Sequence, residues 1–175
     1  MLSELYAGSL ADATRRLESV SLSEIERLAL AQAPALDAMR ALAPRNQIHV
    51  LAEVKRASPS KGQMAAIVDP AALAKTYADN GASAISVLTE ERKFKGSLAD
   101  LQAVRKVVSV PLLRKDFIAT EHQILEARAA GADIILLIVA GIDEPTIARL
   151  MRFTFELGMT PFIETHSEEE LKIAL

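Results

Sequence analysis

One junction, met twice, limits what this chain can fold into. Tyr77-Ala78-Asp79-Asn80-Gly81-Ala82-Ser83-Ala84-Ile85 and Ala127-Arg128-Ala129-Ala130-Gly131-Ala132-Asp133-Ile134-Ile135 both run from a helix pattern through Gly-Ala into an apolar run. Glycine stops a helix because it adopts the left-handed backbone that other residues resist. A short apolar run directly after such a stop reads as a strand buried on both faces. Units of roughly 25 to 35 residues, each a strand plus a helix, imply parallel strands joined by right-handed crossovers. The fold class is therefore α/β.

The remaining units follow the same plan. After a first strand beginning near Val50, apolar strands are expected at Ala84 to Thr89, Val110 to Arg114, Asp133 to Val139 and Thr160 to Glu164. Asp69-Pro70 opens the first intervening helix as cap and first-turn proline, and Ser97 with Asp100 opens the next as an acidic form of the capping box. A helix from about Glu121 to Ala130 follows, then one from Glu144 to Leu157 that Gly158 stops. Ser167 with Glu170 caps a last helix still running at Leu175. Residues 1–45 read instead as two or three amphipathic helices, with Ser21 or Ser23 as a cap, a break at Pro34 and another at Pro44-Arg45-Asn46. That extension offers no obvious catalytic group, so its default role is to cover one end of the core formed by residues 46–175.

Composition narrows the functional classes. The net charge of -3, with 25% charged residues, lacks the basic character of a nucleic-acid binder. There is no cysteine, and His49, His122 and His166 are too scattered to suggest zinc, so no metal is implied. Neither a signal-peptide core nor an apolar run approaching the roughly 20 residues of a membrane span is present, and a cytoplasmic location is expected.

The first strand carries an anomaly. In Val50-Leu51-Ala52-Glu53-Val54-Lys55, the alternation of strand side chains puts Glu53 and Lys55 on one face. Two such charges on an inward face must be paired, solvated or functional, because a lone buried ion is costly. The following Arg56-Ala57-Ser58-Pro59-Ser60-Lys61-Gly62 gathers hydroxyl and ammonium donors, with Pro59 forcing Ser58 towards an extended backbone. It reads either as a plain Ser-Pro turn or as an anion cradle.

Glu53 and Lys55, Glu90, Lys115 and Glu164 all fall at or near strand C-terminal ends, as a barrel mouth requires. An open doubly wound sheet would instead use one switch point and a glycine-rich first turn, and no Gly-x-Gly stands there. A complete barrel takes about 250 residues. The expected architecture is thus a parallel (β/α)8 TIM-type barrel, truncated to about five units and preceded by the helical extension.

The motifs also carry a family resemblance. Glu53-Val54-Lys55 with Ser58-Pro59-Ser60, Ser86-Val87-Leu88-Thr89-Glu90, Phe94 with Gly96-Ser97-Leu98, Leu113-Arg114-Lys115-Asp116-Phe117-Ile118, Glu126 to Asp133, and Glu164 after Phe162-Ile163 resemble, in order, those of indole-3-glycerol-phosphate synthases. The stretch Gln63-Met64-Ala65-Ala66 is less charged than in that family, and the motifs of its sixth, seventh and eighth strands are absent.

The resemblance implies a carboxy-lyase of tryptophan biosynthesis that needs no cofactor. It converts 1-(2-carboxyphenylamino)-1-deoxyribulose 5-phosphate into indole-3-glycerol phosphate. Lys115 is the expected general acid, because an ammonium in an apolar mouth, near Lys55, gives up its proton more readily than one in water. Glu164 is the expected base or electrostatic partner, Glu53 orients the lysines, and Lys55 meets the anionic groups and serves the dehydration. Ser58 is expected to bond phosphate, and Phe94 and Phe117 to wall the aromatic ring. Glu90 and Asp116 read as structural, with a local Lys115–Asp116 ion pair as the bland alternative for that segment. The competing function is a non-catalytic open-sheet module for an anionic ligand. Open strand edges would favour self-association.

Overall fold

A computed structural model describes residues 2–175. Three helices come first, α1 (Leu2–Leu17), α2 (Leu22–Leu30) and α3 (Ala38–Ala41). Then follow β1 (Leu51–Val54), a two-stranded antiparallel ribbon of β2 (Ala57–Ser58) and β3 (Gly62–Gln63), and α4 (Pro70–Asp79). The alternating part continues with β4 (Ala84–Leu88), α5 (Leu98–Arg105), β5 (Leu112–Lys115), α6 (Glu121–Ala129) and β6 (Ile134–Ile138). A 3-10 turn (Val139–Gly141), α7 (Glu144–Glu156), β7 (Thr160–Glu164) and α8 (Glu168–Ala174) complete it.

The main sheet has the order β1-β4-β5-β6-β7, every neighbouring pair parallel. Because spatial order follows chain order, there is no reversal and hence no switch point of the doubly wound kind. Right-handed crossovers that always advance in one direction put their helices on one face. Val54, Ile85, Val87, Leu112, Ile135 and Leu137 accordingly form one core with Ala74, Leu101, Val104, Ile124, Ala127 and Leu150 of α4 to α7. The alternate residues Ala84, Leu113, Ile134, Leu136 and Ile138 line the opposite, inner face. This is the layered, barrel-type arrangement expected from the sequence, with β1 and β7 at its edges.

Local signals explain the boundaries. Asp69, Ser97, Thr120, Asp143 and Ser167 each accept a backbone amide at the start of their helices, and Thr120 forms a full capping box with Gln123. Ser21, not Ser23, caps α2. Gly81 and Gly131 have φ of 92° and 90°, the left-handed stop read from the repeat. The strand from Val110 starts two residues later than expected, at Leu112, past Pro111, which has no N–H to donate. The Ser-Pro loop is more ordered than read: it closes the β2–β3 ribbon.

The extension reaches farther than expected. Ala38 of α3 packs with Ala84 at the start of β4, which covers the N-terminal end of the inner face. There the Asp133 carboxylate accepts from the amides of Leu36 (2.7 Å) and Leu112 (2.8 Å) and from Arg105 (2.9 Å), tying the α2–α3 connection to the sheet. Leu5 and Tyr6 of α1, however, pack with Phe117 and Ile138 at the other end. A Cβ on Gly141 would lie 1.9 Å from the Tyr6 ring, so only glycine admits that ring.

Candidate active site

The site grows from one alternation in β5. Leu112 and Arg114 face the helices, while Leu113 and Lys115 face inward. Lys115 Nζ donates to Glu164 Oε2 at the end of β7 over 3.1 Å. On β1, Lys55 Nζ donates to Glu53 Oε1. All four side chains keep 29–31% of their surface exposed, so these are half-solvated pairs at the strand ends. Glu164 also lies 3.3 Å from His166 Nε2.

Around Lys115 and Glu164 lies a cavity of about 230 Å3, walled by Leu88, Phe94, Phe117, Leu136 and Ile138. Phe117 meets Phe94 at 6.0 Å between ring centroids and Tyr6, edge-on, at 5.5 Å. Tyr6 thus supports the Phe117 ring without lining the cavity itself, and it comes from an extension in which sequence reasoning found no functional group. Its signal was an aromatic at helical spacing from Leu2 and Leu10, which reads equally as core. Burial pushes the Tyr6 hydroxyl up to about 12, against the hydrogen bond it donates to the Ile138 carbonyl.

Glu90 and Asp116 hold this wall. The Glu90 carboxylate accepts from the amides of Arg92 (3.0 Å), Lys93 (2.7 Å) and Phe94 (2.8 Å), which fixes the loop carrying Phe94. Asp116 does not pair with Lys115, the bland alternative for that segment. It accepts instead from Arg114 (2.9 Å), the Thr89 hydroxyl (2.6 Å), the Ser9 hydroxyl (2.9 Å) and the Phe117 amide (2.9 Å). Burial raises the Asp116 carboxyl, but the Arg114 charge and these hydrogen bonds outweigh it and hold the group below the usual carboxylate range.

Arg114 is completely buried and also donates to Glu126 and to the Gln123 carbonyl. Glu126 in turn takes two hydrogen bonds from Arg16 of α1. Lys55 and Lys115 each donate to a carboxylate of their own, Glu53 and Glu164.

The other expected residues stand apart from that cavity. Glu53 and Lys55 share the inner face but lie two strands away across β4. Ser58 Oγ accepts from the Lys61 amide over 3.3 Å at the ribbon turn, which leaves its O–H free to donate. Pro59 beside it lines a second cleft of about 530 Å3 with Leu5, Gly8, Glu90, Arg92 and Lys93. Among the described residues no cluster of His, Asp or Glu could hold a metal ion. No helix among them is long and apolar enough to cross a membrane.

A one-directional parallel sheet, helices on its outer face and charged pairs at the C-terminal ends of its inner face define a protein of the (β/α) TIM-barrel class. The comparisons with known proteins are more particular. The family model described as indole-3-glycerol phosphate synthase matches residues 2–175. A protein of that name from Leifsonia xyli subsp. xyli is 58% identical over 174 residues, covering 99% of this chain and 67% of the relative. Namesakes from an Arthrobacter species and from Mycolicibacterium smegmatis are 54% and 53% identical, with all of this chain matched to 66% and 64% of theirs. The chain belongs to the indole-3-glycerol phosphate synthase family and spans about two thirds of the length of these relatives.

Proposed function

We propose that this chain supplies the first five β/α units, with residues 1–45 as a helical extension, of a cytoplasmic indole-3-glycerol-phosphate synthase of tryptophan biosynthesis. The observation that carries this reading is the pairing of Lys115 with Glu164 beside the aromatic wall of Phe94 and Phe117. In the proposed reaction the ring carbon bearing the carboxylate attacks the ketone carbon of 1-(2-carboxyphenylamino)-1-deoxyribulose 5-phosphate. Lys115 gives its proton to the ketone oxygen as that bond forms. The ring then loses carbon dioxide and regains aromaticity. Loss of the new hydroxyl as water, with a proton leaving the methylene carbon beside nitrogen, yields the indole. Glu164 accepts that proton or stabilises the cation that precedes it, and its contact with Lys115 allows the proton to return.

Glu53 and Lys55 complete the charge arrangement. Lys55 leaves Glu53 to meet the substrate's anionic group and later assists the dehydration, while Glu53 orients the lysines. The free O–H of Ser58 contributes to the phosphate site, and Phe94 and Phe117 sandwich the carboxyphenyl ring. The substrate is a small phosphorylated molecule, and neither nucleic acid nor membrane is a proposed partner. Self-association through the edges of β1 and β7 is proposed for the chain by itself.

The test is to purify the chain, measure its mass in solution, and follow indole formation before and after adding a polypeptide with the last three strand–helix units of a relative. The expected result is little activity alone and turnover on addition. Binding of an anion without turnover in either case would instead favour the non-catalytic module.

A further inference from the structure

Ser86 is a buried hydroxyl without a partner. It is 3% exposed, and its Oγ has no hydrogen bond among the described residues. Natural interiors rarely leave such a group unpaired, so its position calls for a reason. Ser86 lies on β4 between Ala84 and Leu88, on the inner face, away from the helix-facing Ile85 and Val87. In register it faces Leu113 of β5 on one side and Glu53 of β1 on the other. Of these same-face neighbours only Glu53 is polar. Adjacent parallel strands run about 4.8 Å apart, which brings a glutamate carboxylate within reach of a serine hydroxyl after a side-chain rotation.

Glu53 has capacity to spare. Its Oε1 accepts from Lys55, and its Oε2 has no hydrogen bond among the described residues. Lys55 is the group that the proposed function sends to the substrate's anion. Once it leaves, Glu53 is a carboxylate on a half-buried strand without its cation. The unspent donor in register with it is the Ser86 hydroxyl, which rotates freely about its C–O bond.

We propose that Ser86 is a positioning residue that receives Glu53. When Lys55 turns to the substrate, the Ser86 O–H donates to the Glu53 carboxylate and holds it on the inner face below the reacting groups. No bond is made or broken and no proton changes owner, since one hydrogen bond replaces another. This inference rests on the proposed function for the departure of Lys55, yet the handover itself is measurable without turnover.

The experiment uses the chain completed by the last three units of a relative, and reads thermal unfolding in four proteins: parent, Ser86→Ala, Lys55→Met and the double variant. In the parent background Ser86→Ala removes an unpaired hydroxyl and leaves Tm unchanged or higher. In the Lys55→Met background Glu53 already rests on Ser86, and Ser86→Ala lowers Tm by about 2–4 °C. An effect of the same sign in both backgrounds overturns the proposal.

Kinetics supply the second arm. Ser86→Ala is expected to lower kcat about tenfold with KM little changed, Ser86→Thr to restore most of it, and Ser86→Ala to add nothing in a Glu53→Gln background. Multiplying losses in that background count against the handover. A completed parent protein without synthase activity sinks the proposed function instead, and the sign reversal in Tm then stands or falls by itself.

Discussion

Arg114 and Lys115 are adjacent cations with opposite surroundings. Arg114 is wholly buried under α6, with Thr89, Asp116, Glu126 and the Gln123 carbonyl around its guanidinium. Lys115 stands in the open mouth with one carboxylate at 3.1 Å and about a third of its side chain exposed. The period of two along β5 separates them. Their chemistries suit their places: the planar fork of arginine meets several acceptors at once and keeps its proton, whereas an ammonium can move and can give one up. A saturated ion pair holds structure, and a sparsely held one is free to react.

The comparison is sharpened first by deleting the buried member. Arg114→Ala leaves Asp116 and Glu126 short of their buried cation, and is expected to destabilise by about 3–5 kcal/mol. Lys115→Ala, removing a partly exposed pair, is expected to cost at most about 1 kcal/mol. Urea denaturation of both variants checks the contrast, and equal losses would break it.

Turnover should reverse the ranking. Lys115→Ala is expected to lower kcat about a hundredfold, roughly 2.7 kcal/mol, with KM nearly constant in the completed protein. A loss confined to KM would make Lys115 a binding group. Lys55→Ala and Ser58→Ala are expected to act more weakly and in the other parameter. KM should rise several-fold and inhibition by inorganic phosphate should weaken. Phosphate inhibition that stays constant in both variants would remove the cradle from the site.

Titration extends the contrast to the buried side. Asp116 is held below the usual carboxylate range in the fold, so its contribution to stability is complete above about pH 4 and is lost as pH falls through its lowered value. Asp116→Asn should flatten the acid limb of stability against pH. Tyr6 gives an effect of the opposite sign. With its hydroxyl near 12 in the fold against an ordinary 10.0, stability is complete below about pH 10 and falls as pH rises between the two. Tyr6→Phe should lessen that alkaline loss, as read by circular dichroism during a base titration.

The sequence by itself determined the plan. The glycine stops at Gly81 and Gly131, the caps Asp69, Ser97 and Ser167, and the apolar runs each act within a few residues, so element type and order follow from local chemistry. Alternation within β1 also determined that Glu53 and Lys55 share a face, and spacing brought Lys115 and Glu164 to strand ends.

Tertiary structure alone decided which charges meet. Lys115 is 49 residues from Glu164, Ser9 is 107 from Asp116 and Arg16 is 110 from Glu126, separations over which no periodicity speaks. It also carried Tyr6 to Phe117 and gave Asp116 to Arg114. The parallel register put Ser86 beside Glu53 with nothing polar on its other side. A strand's own sequence tells which face a side chain takes, but its neighbours across the sheet follow from packing of the whole chain.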